Sequence, residues 1–112
     1  MGKYTELLDK ANKEMEQLGG ATPKMMGAFM KCHHIGGTDG ALAAKHKELI
    51  ALGIAIRAQC EGCIVCHVHD AMEAGASTEE ITETIEVAIV MGGGPAVIYG
   101  SKALAALQEF SA

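Results

Sequence analysis

Aromatic residues are scarce in this sequence, which has no tryptophan and only two tyrosines and two phenylalanines among its 112 residues. Small and aliphatic side chains supply most of the 49% apolar share, and they suit close helix packing better than a β-sandwich. A chain of this length fits one domain, because two cores would each be marginal. We therefore expect a single all-α domain over residues 1–112.

The sequence also lacks a basic stripe and a long apolar run. Its net charge of −5 comes from acidic residues interspersed with lysines, which argues against nucleic acid as a partner. The longest apolar run, residues 49–56, is far shorter than the ~20 residues of a membrane span. The amino terminus shows no export-signal pattern. We expect a soluble, cytoplasmic protein with no membrane partner.

The apolar spacing predicts about six helices, separated by glycine and proline signals. The predicted helices span residues 4–18, 23–34, 42–58, 60–74, 78–91 and 96–110. The glycines at 19–20 should stop the first helix, and Gly75 should follow the fourth. Residues 77–80 (Ser-Thr-Glu-Glu) read as a capping box, and residues 92–95 (Gly-Gly-Gly-Pro) as a break.

The central helix, predicted over residues 42–58, is apolar on every side from 49 to 56. Such a helix is expected in the centre of a domain or in a subunit contact. Glu48 opens this stretch and shares a face with Leu52 and Ala55, so its carboxylate should reach toward the interior. A carboxylate taken out of water becomes a usable proton acceptor near neutral pH. The alternative is a solvated residue at the start of a helix.

Three of the four cysteines fall within seven residues, so disulfides among them cannot link distant parts of the chain. This clustering favours redox or metal chemistry. On a helix, Cys60, Cys63 and His67 would lie within an arc of about 60°. The histidine can take a proton from a thiol, and the partner thiol can close a disulfide. The alternative is that these cysteines are inert apolar side chains.

Neighbouring residues leave further interpretations open. Cys66 creates a second Cys-x-x-Cys pair with Cys63, although Asp70 rather than a histidine stands four residues beyond it. Asp70 could also orient the ring of His67. His69 should point away from the cysteine face, at the surface or in a subunit contact.

Zinc is an alternative, because residues 32–34 (Cys-His-His) could join the cysteines of 60–66 and His67 as ligands. A Cys-x-x-Cys pair on a continuous helix lacks the turn of most closed zinc sites, so we expect no metal. The glycines at 92–94 lack the strand and the lysine of phosphate-binding loops. We therefore expect no cofactor.

These residues together resemble the carboxymuconolactone decarboxylase superfamily, and within it the alkylhydroperoxidase D branch. The resemblance covers most of the chain, as far as the Gly-Pro-Ala of residues 94–96. It is most specific at Cys60-x-x-Cys63-x-x-x-His67, twelve residues after Glu48. Both steps agree with the family's pattern, which is a more specific signal than a lone Cys-x-x-Cys.

The resemblance implies an all-helical, alkylhydroperoxidase D-like fold with a central helical hairpin, assembled into trimers or hexamers. It also implies that Cys63 is the attacking, peroxide-reducing thiolate and Cys60 the resolving thiol, with Glu48 and His67 as a proton relay. The implied activity is reduction of a hydroperoxide substrate through disulfide chemistry. A dithiol reductant, such as a lipoyl-bearing protein, would then restore the cysteine pair.

Two features depart from that branch. The chain has the length of a single repeat, and Gly62 stands where the peroxidase has a histidine between its cysteines. Two other functions stay open at this point. One is a lactone decarboxylase like the superfamily's namesake, which needs no cysteines. The other is a non-enzymatic helical module whose thiols sense oxidants.

Overall fold

The computed structural model describes residues 2–112, and over this range the chain forms six α-helices and no strand. They are α1 (Lys3–Ala21), α2 (Pro23–Gly37), α3 (Ala44–Arg57), α4 (Glu61–Glu73), α5 (Thr78–Gly92) and α6 (Gly94–Ser111). The predicted all-α fold is confirmed. None of these six helices has the length and apolar character needed to cross a membrane.

The end of α1 differs from the prediction, because Gly19 and Gly20 lie inside the helix. The helix ends only where Thr22 leaves the helical conformation, with φ −131° and ψ 60°. Thr22 precedes Pro23, and a residue before proline is driven out of the helical region. The proline rather than the glycine pair therefore ends α1. Helix α2 also runs on to Gly37, beyond the predicted end at residue 34.

Other predicted boundaries are confirmed. Ser77 and Glu80 form the capping box at the start of α5. Gly75, with φ 95°, lies just past the end of α4, and Gly93, with φ 67°, alone separates α5 from α6. Both glycines adopt the positive φ that other residues avoid.

The predicted helix over residues 60–74 is wrong at its start, because Cys60 lies in the turn between α3 and α4. Gln59 has φ 60°. Its N–H donates to the Ile56 carbonyl at 3.1 Å, and the Cys60 N–H donates to the Ala55 carbonyl at 3.2 Å. This is a Schellman ending, with glutamine in the place of the usual glycine. The turn folds α4 back on α3, and the two helices form the predicted central hairpin.

The core lies between α3, α4, α5 and α6, and no residue of α1 or α2 is fully buried. Its largest fully buried side chains are Leu52, Ile56, Ile64, Val65, Val68 and Ile81. Helices α5 and α6 approach closely, since a Cβ atom on Gly100 would lie 2.9 Å from Cγ2 of Ile85. Small residues on α6 thus allow the tight helix packing that the composition predicts.

One face of the central helix is open. Leu52, Ala55 and Ile56 are buried, whereas Ile50 is 50% and Ile54 is 64% exposed. Within one chain α3 is therefore not buried on every side, because α4, α5 and α6 cover only part of it. The alternative expectation, that its remaining apolar face lies in a subunit contact, stays a prediction.

Helix α1 is fastened to α6 at its first turn. The Glu109 carboxylate accepts hydrogen bonds from the Tyr4 N–H at 3.2 Å, and from the Thr5 N–H and hydroxyl at 2.6 and 2.7 Å. The first backbone N–H groups of a helix have no partner within the helix, and the Gly2 N-cap has no side chain to supply one. The Thr5 hydroxyl, followed by the backbone donors, lowers the pKa of Glu109 below its ordinary value.

Candidate active site

Two of the clustered cysteines lie at the start of α4 and are joined to each other. A disulfide links Cys60 and Cys63, whose Cα atoms are 5.2 Å apart. Cys60 is the N-cap of α4, and its Sγ accepts a hydrogen bond from the Cys63 N–H at 3.2 Å. Cys63 is exposed, whereas Cys60 is half-buried. The disulfide therefore faces solvent mainly through Cys63.

Glu48 and His67 meet across the central hairpin. Glu48 lies in the second turn of α3 and His67 in the second turn of α4, and Glu48 Oε2 is 2.8 Å from His67 Nδ1. Their side chains are only 15% and 19% exposed. A carboxylate that holds one imidazole nitrogen leaves the other free for proton transfer. His67 follows Cys63 by four residues, so this acid–base pair lies one helical turn from the exposed sulfur.

Asp70 stands next to this pair. One carboxylate oxygen of Asp70 and single ligand atoms of Glu48 and His67 all lie within 4.8 Å of one another. Within residues 2–112 this is the one group of such side chains close enough to hold a metal ion. The zinc alternative required cysteines and histidines at a common point, and the described chain instead pairs Cys60 with Cys63. The expected continuous helix through both cysteines is nevertheless wrong, because Cys60 lies in the turn before α4.

His33 is a neighbour of the acid–base pair that sequence spacing did not place there. Its ring lies over the ring of His67, with centroids 6.2 Å apart and planes inclined by 24°. The ring of Phe29, one turn earlier on α2, is 6.3 Å from that of His33. The four-residue spacing of Phe29 and His33 indicates a shared helix face, but nothing in the sequence indicates what that face covers.

The other two cysteines are free thiols. Burial raises the pKa of Cys66, and the negative charge of Asp70 raises it further. A thiol whose pKa is raised is a poor nucleophile near neutral pH, because the thiolate is the reactive form. Cys32 is exposed on α2. Of the two possible Cys-x-x-Cys pairs, the structure joins the one that contains Cys60.

His69 lies at the surface. Its Nδ1 is 3.2 Å from the Asp70 carboxylate, and its side chain is 43% exposed. The ring meets that of Phe110 edge-on, with centroids 6.1 Å apart. These contacts agree with the surface position that its helical spacing indicates.

The model of the carboxymuconolactone decarboxylase family matches residues 23–109 of this chain. A solved structure of a family protein from Legionella pneumophila is 35% identical, covers 98% of both chains and has a TM-score of 0.94. A family protein from Thermotoga maritima is 30% identical over 76% of this chain and 88% of its own, with a TM-score of 0.72. An uncharacterized protein of Cupriavidus necator is 37% identical, covering 94% of this chain and 93% of that protein. Residues 23–109, which the family model matches, include the disulfide and the acid–base pair.

Proposed function

This chain belongs to the carboxymuconolactone decarboxylase family, and on that premise we propose that it is a thiol-dependent hydroperoxide reductase acting through disulfide chemistry. The observation that carries the proposal is the solvent-facing Cys60–Cys63 disulfide, one helical turn before the hydrogen-bonded Glu48 and His67. A paired dithiol supplies two electrons when it closes to a disulfide, and the adjacent acid–base pair moves the protons.

In the proposed reaction the Cys63 thiolate attacks the terminal, hydrogen-bearing oxygen of the hydroperoxide. The O–O bond breaks, Cys63 becomes a sulfenic acid, and the departing alkoxide leaves as an alcohol after taking a proton from His67. The Cys60 thiolate then attacks the sulfenic sulfur. The S–O bond breaks, water leaves with a second proton, and the Cys60–Cys63 disulfide forms.

Exposure and position support these roles. Cys63 is exposed, so a hydroperoxide can reach it, and it precedes His67 by one turn. Cys60 is half-buried but near enough to bond with it. Glu48 fixes the ring of His67 through Nδ1, at 2.8 Å. The surroundings of the two cysteines and of the acid–base pair thus suit their proposed roles.

A dithiol reductant supplies the electrons in this proposal, and a lipoyl-bearing protein is the candidate. A dithiol suits the task because its second thiol closes on the first and releases the protein. Involvement in an antioxidative response has been suggested for the relative from Thermotoga maritima. That suggestion agrees with the class of reaction proposed for this chain.

We further propose that the working form is a homo-oligomer, a trimer or a hexamer. Helices α3 and α5 share an open, mainly apolar groove, lined by Leu49, Ile50, Gly53, Ile54, Arg57, Thr84, Val87, Ala88 and Met91. Beside it, Val90 is 81% exposed. Apolar patches of this kind mark contact surfaces, and a closed symmetric assembly repeats one contact between each pair of neighbouring copies.

Cysteine substitutions test the assigned roles. Cys63→Ser should abolish peroxide turnover, because the attacking sulfur is gone. Cys60→Ser should consume one equivalent of hydroperoxide and then stop, since the sulfenic acid has no resolving partner. Cys66→Ser is the matched control on the same helix and should keep its turnover. Consumption of cumene hydroperoxide measures all three, with dihydrolipoamide as the reductant for the turnover of Cys63→Ser and Cys66→Ser, and without reductant for the single equivalent of Cys60→Ser.

Two outcomes would count against the proposal. Equal residual turnover in the Cys60→Ser and Cys63→Ser proteins would contradict the division of roles. A biological function that persists in full in the Cys63→Ser protein would favour acid–base chemistry such as lactone decarboxylation, or a binding module.

A further inference from the structure

We infer that the reducing dithiol attacks the Sγ of Cys63 and that Cys60 departs as the thiolate, an inference that rests on the proposed function. Either sulfur of a disulfide can be attacked. The choice depends on which sulfur the incoming thiolate can reach and on how stable the departing thiolate is. The two cysteines of this chain differ in both respects.

Access favours attack at Cys63. Cys63 is exposed in the first turn of α4, whereas Cys60 is half-buried in the turn that ends α3. The backbone of that turn is itself held, since the Cys60 N–H donates to the Ala55 carbonyl at 3.2 Å. A reductant therefore has readier access to Cys63 than to Cys60.

The helix start favours departure of Cys60. Its Sγ already accepts a hydrogen bond from the Cys63 N–H at 3.2 Å, as the N-cap of the 13-residue helix α4. Negative charge is stabilised at this end of a helix by free N–H groups and by the helix dipole, and thiolates at such positions form at lower pH. The neighbouring Glu61 is paired with Lys102 of α6 at 3.1 Å, which offsets its repulsion.

The exchange balances without another reactant. The thiolate of the dithiol bonds to Sγ of Cys63, the Cys60–Cys63 bond breaks, and its electron pair stays on Cys60. The second thiol of the reductant loses its proton and attacks the first sulfur, which releases the Cys63 thiolate. Two electrons pass to the protein, and the reductant leaves as a cyclic disulfide.

Cys66 does not intercept the mixed disulfide. It lies three residues after Cys63, near enough in the helix to attack it. Burial and the charge of Asp70 raise its pKa, so the thiol stays protonated. The mixed disulfide on Cys63 is therefore resolved by the second thiol of the reductant and not by Cys66.

A trapping experiment locates the mixed disulfide. The oxidised protein, with Cys32→Ser and Cys66→Ala to remove the other thiols, is mixed with glutathione and quenched in acid within milliseconds. Free thiols are alkylated, and peptide fragmentation locates the adduct. We expect about tenfold more glutathione on Cys63 than on Cys60, given the differences in access and leaving group. An adduct mainly on Cys60, or shared equally, would overturn the inference.

A second measurement tests the inference even where the glutathione adduct reverts to the Cys60–Cys63 disulfide before it can be trapped. In the same background, Cys63→Ser leaves Cys60 as the single thiol and keeps the backbone N–H at position 63. Thiolate absorbance near 240 nm should then give Cys60 a pKa below the ordinary cysteine value of about 8.5. A pKa at or above that value would remove the basis of the inference.

Neither measurement uses hydroperoxide, so the two proposals fail separately. Failure of hydroperoxide to form the Cys60–Cys63 disulfide counts against the proposed function. A disulfide that forms but is opened at Cys60 counts against this inference alone.

Discussion

His67 is held on two sides by residues that are distant in the sequence. Glu48 of α3 contacts its Nδ1 at 2.8 Å, and the ring of His33 from α2 lies over its ring. A ring fixed in this way presents its remaining nitrogen in a constant direction. Because general acid–base catalysis depends on such positioning, the carboxylate of Glu48 is the residue whose charge should matter most to proton transfer.

Glu48→Gln tests that charge. The amide can still form a hydrogen bond with the ring, but it cannot accept a proton as the carboxylate can. We expect oxidation of Cys63 by hydroperoxide to slow by on the order of 10²-fold, with an altered pH profile. Stopped-flow rates from pH 5 to 9 measure this effect, and Glu86→Gln, at an exposed position of α5, is the matched control. A pH profile unchanged from that of the parent would assign Glu48 a structural role.

At this scale the sequence reveals relations within one helix and misses those between helices. The four-residue step from Cys63 to His67 is visible as a shared face of α4. The place of His33 is not, because it depends on how α2 crosses the hairpin. Glu48 is an intermediate case. The face of its helix suggests that the carboxylate points inward, but only the fold shows that it contacts His67.

Among the helices and turns, one motif occurs twice and is visible in the sequence only once. Helices α3 and α4 both end in a Schellman turn, with Gln59 at φ 60° and Gly75 at φ 95°. A glycine in the sequence predicts such a turn, because glycine adopts positive φ without strain, whereas a glutamine does not predict one. For this reason the sequence predicts the end of α4 but not the turn that places Cys60 as an N-cap.

The attachment of α1 to α6 should depend on pH. Hydrogen bonds from Thr5 and Tyr4 lower the pKa of Glu109 in the folded protein below its unfolded value. A carboxyl group of this kind stabilises the fold above its unfolded pKa of about 4.3, and this stabilisation disappears as pH falls through the folded pKa. Glu109→Gln should therefore lower the Tm at pH 7, by an amount that shrinks as the pH falls below about 4.

Thermal unfolding followed by circular dichroism across this pH range measures the effect, again with Glu86→Gln as the control. A decrease in Tm that is the same at every pH would show that the charge of the Glu109 carboxylate does not stabilise the contact between α1 and α6.

On the scale of the whole molecule, four helices build one core and leave apolar surface outside it. Neither α1 nor α2 contributes a buried residue, and α2 exposes Met25 by 72% and Phe29 by 55%. The six-helix, all-α architecture follows from the sequence, because apolar spacing determines which faces turn inward. Which apolar faces remain outside does not follow, since that depends on how completely the other helices cover α3.

A charge in the groove between α3 and α5 tests the proposed assembly. Ile54→Asp should dissociate a trimer or hexamer, because Ile54 is 64% exposed in one chain and would carry an unpaired charge into the contact. Gln17→Asp, an exposed position of α1, adds the same charge elsewhere and should leave the assembly intact. Size-exclusion chromatography with light scattering measures the mass, and a parent protein that is monomeric would contradict the proposal.

The most direct test of the redox account is peptide mapping of the reduced protein after one equivalent of hydroperoxide, with free thiols alkylated before digestion. We expect rapid formation of a Cys60–Cys63 linkage, alkylated Cys32 and Cys66, and complete reversal by dihydrolipoamide. Four alkylated cysteines after exposure to hydroperoxide, or a linkage between Cys63 and Cys66, would contradict it.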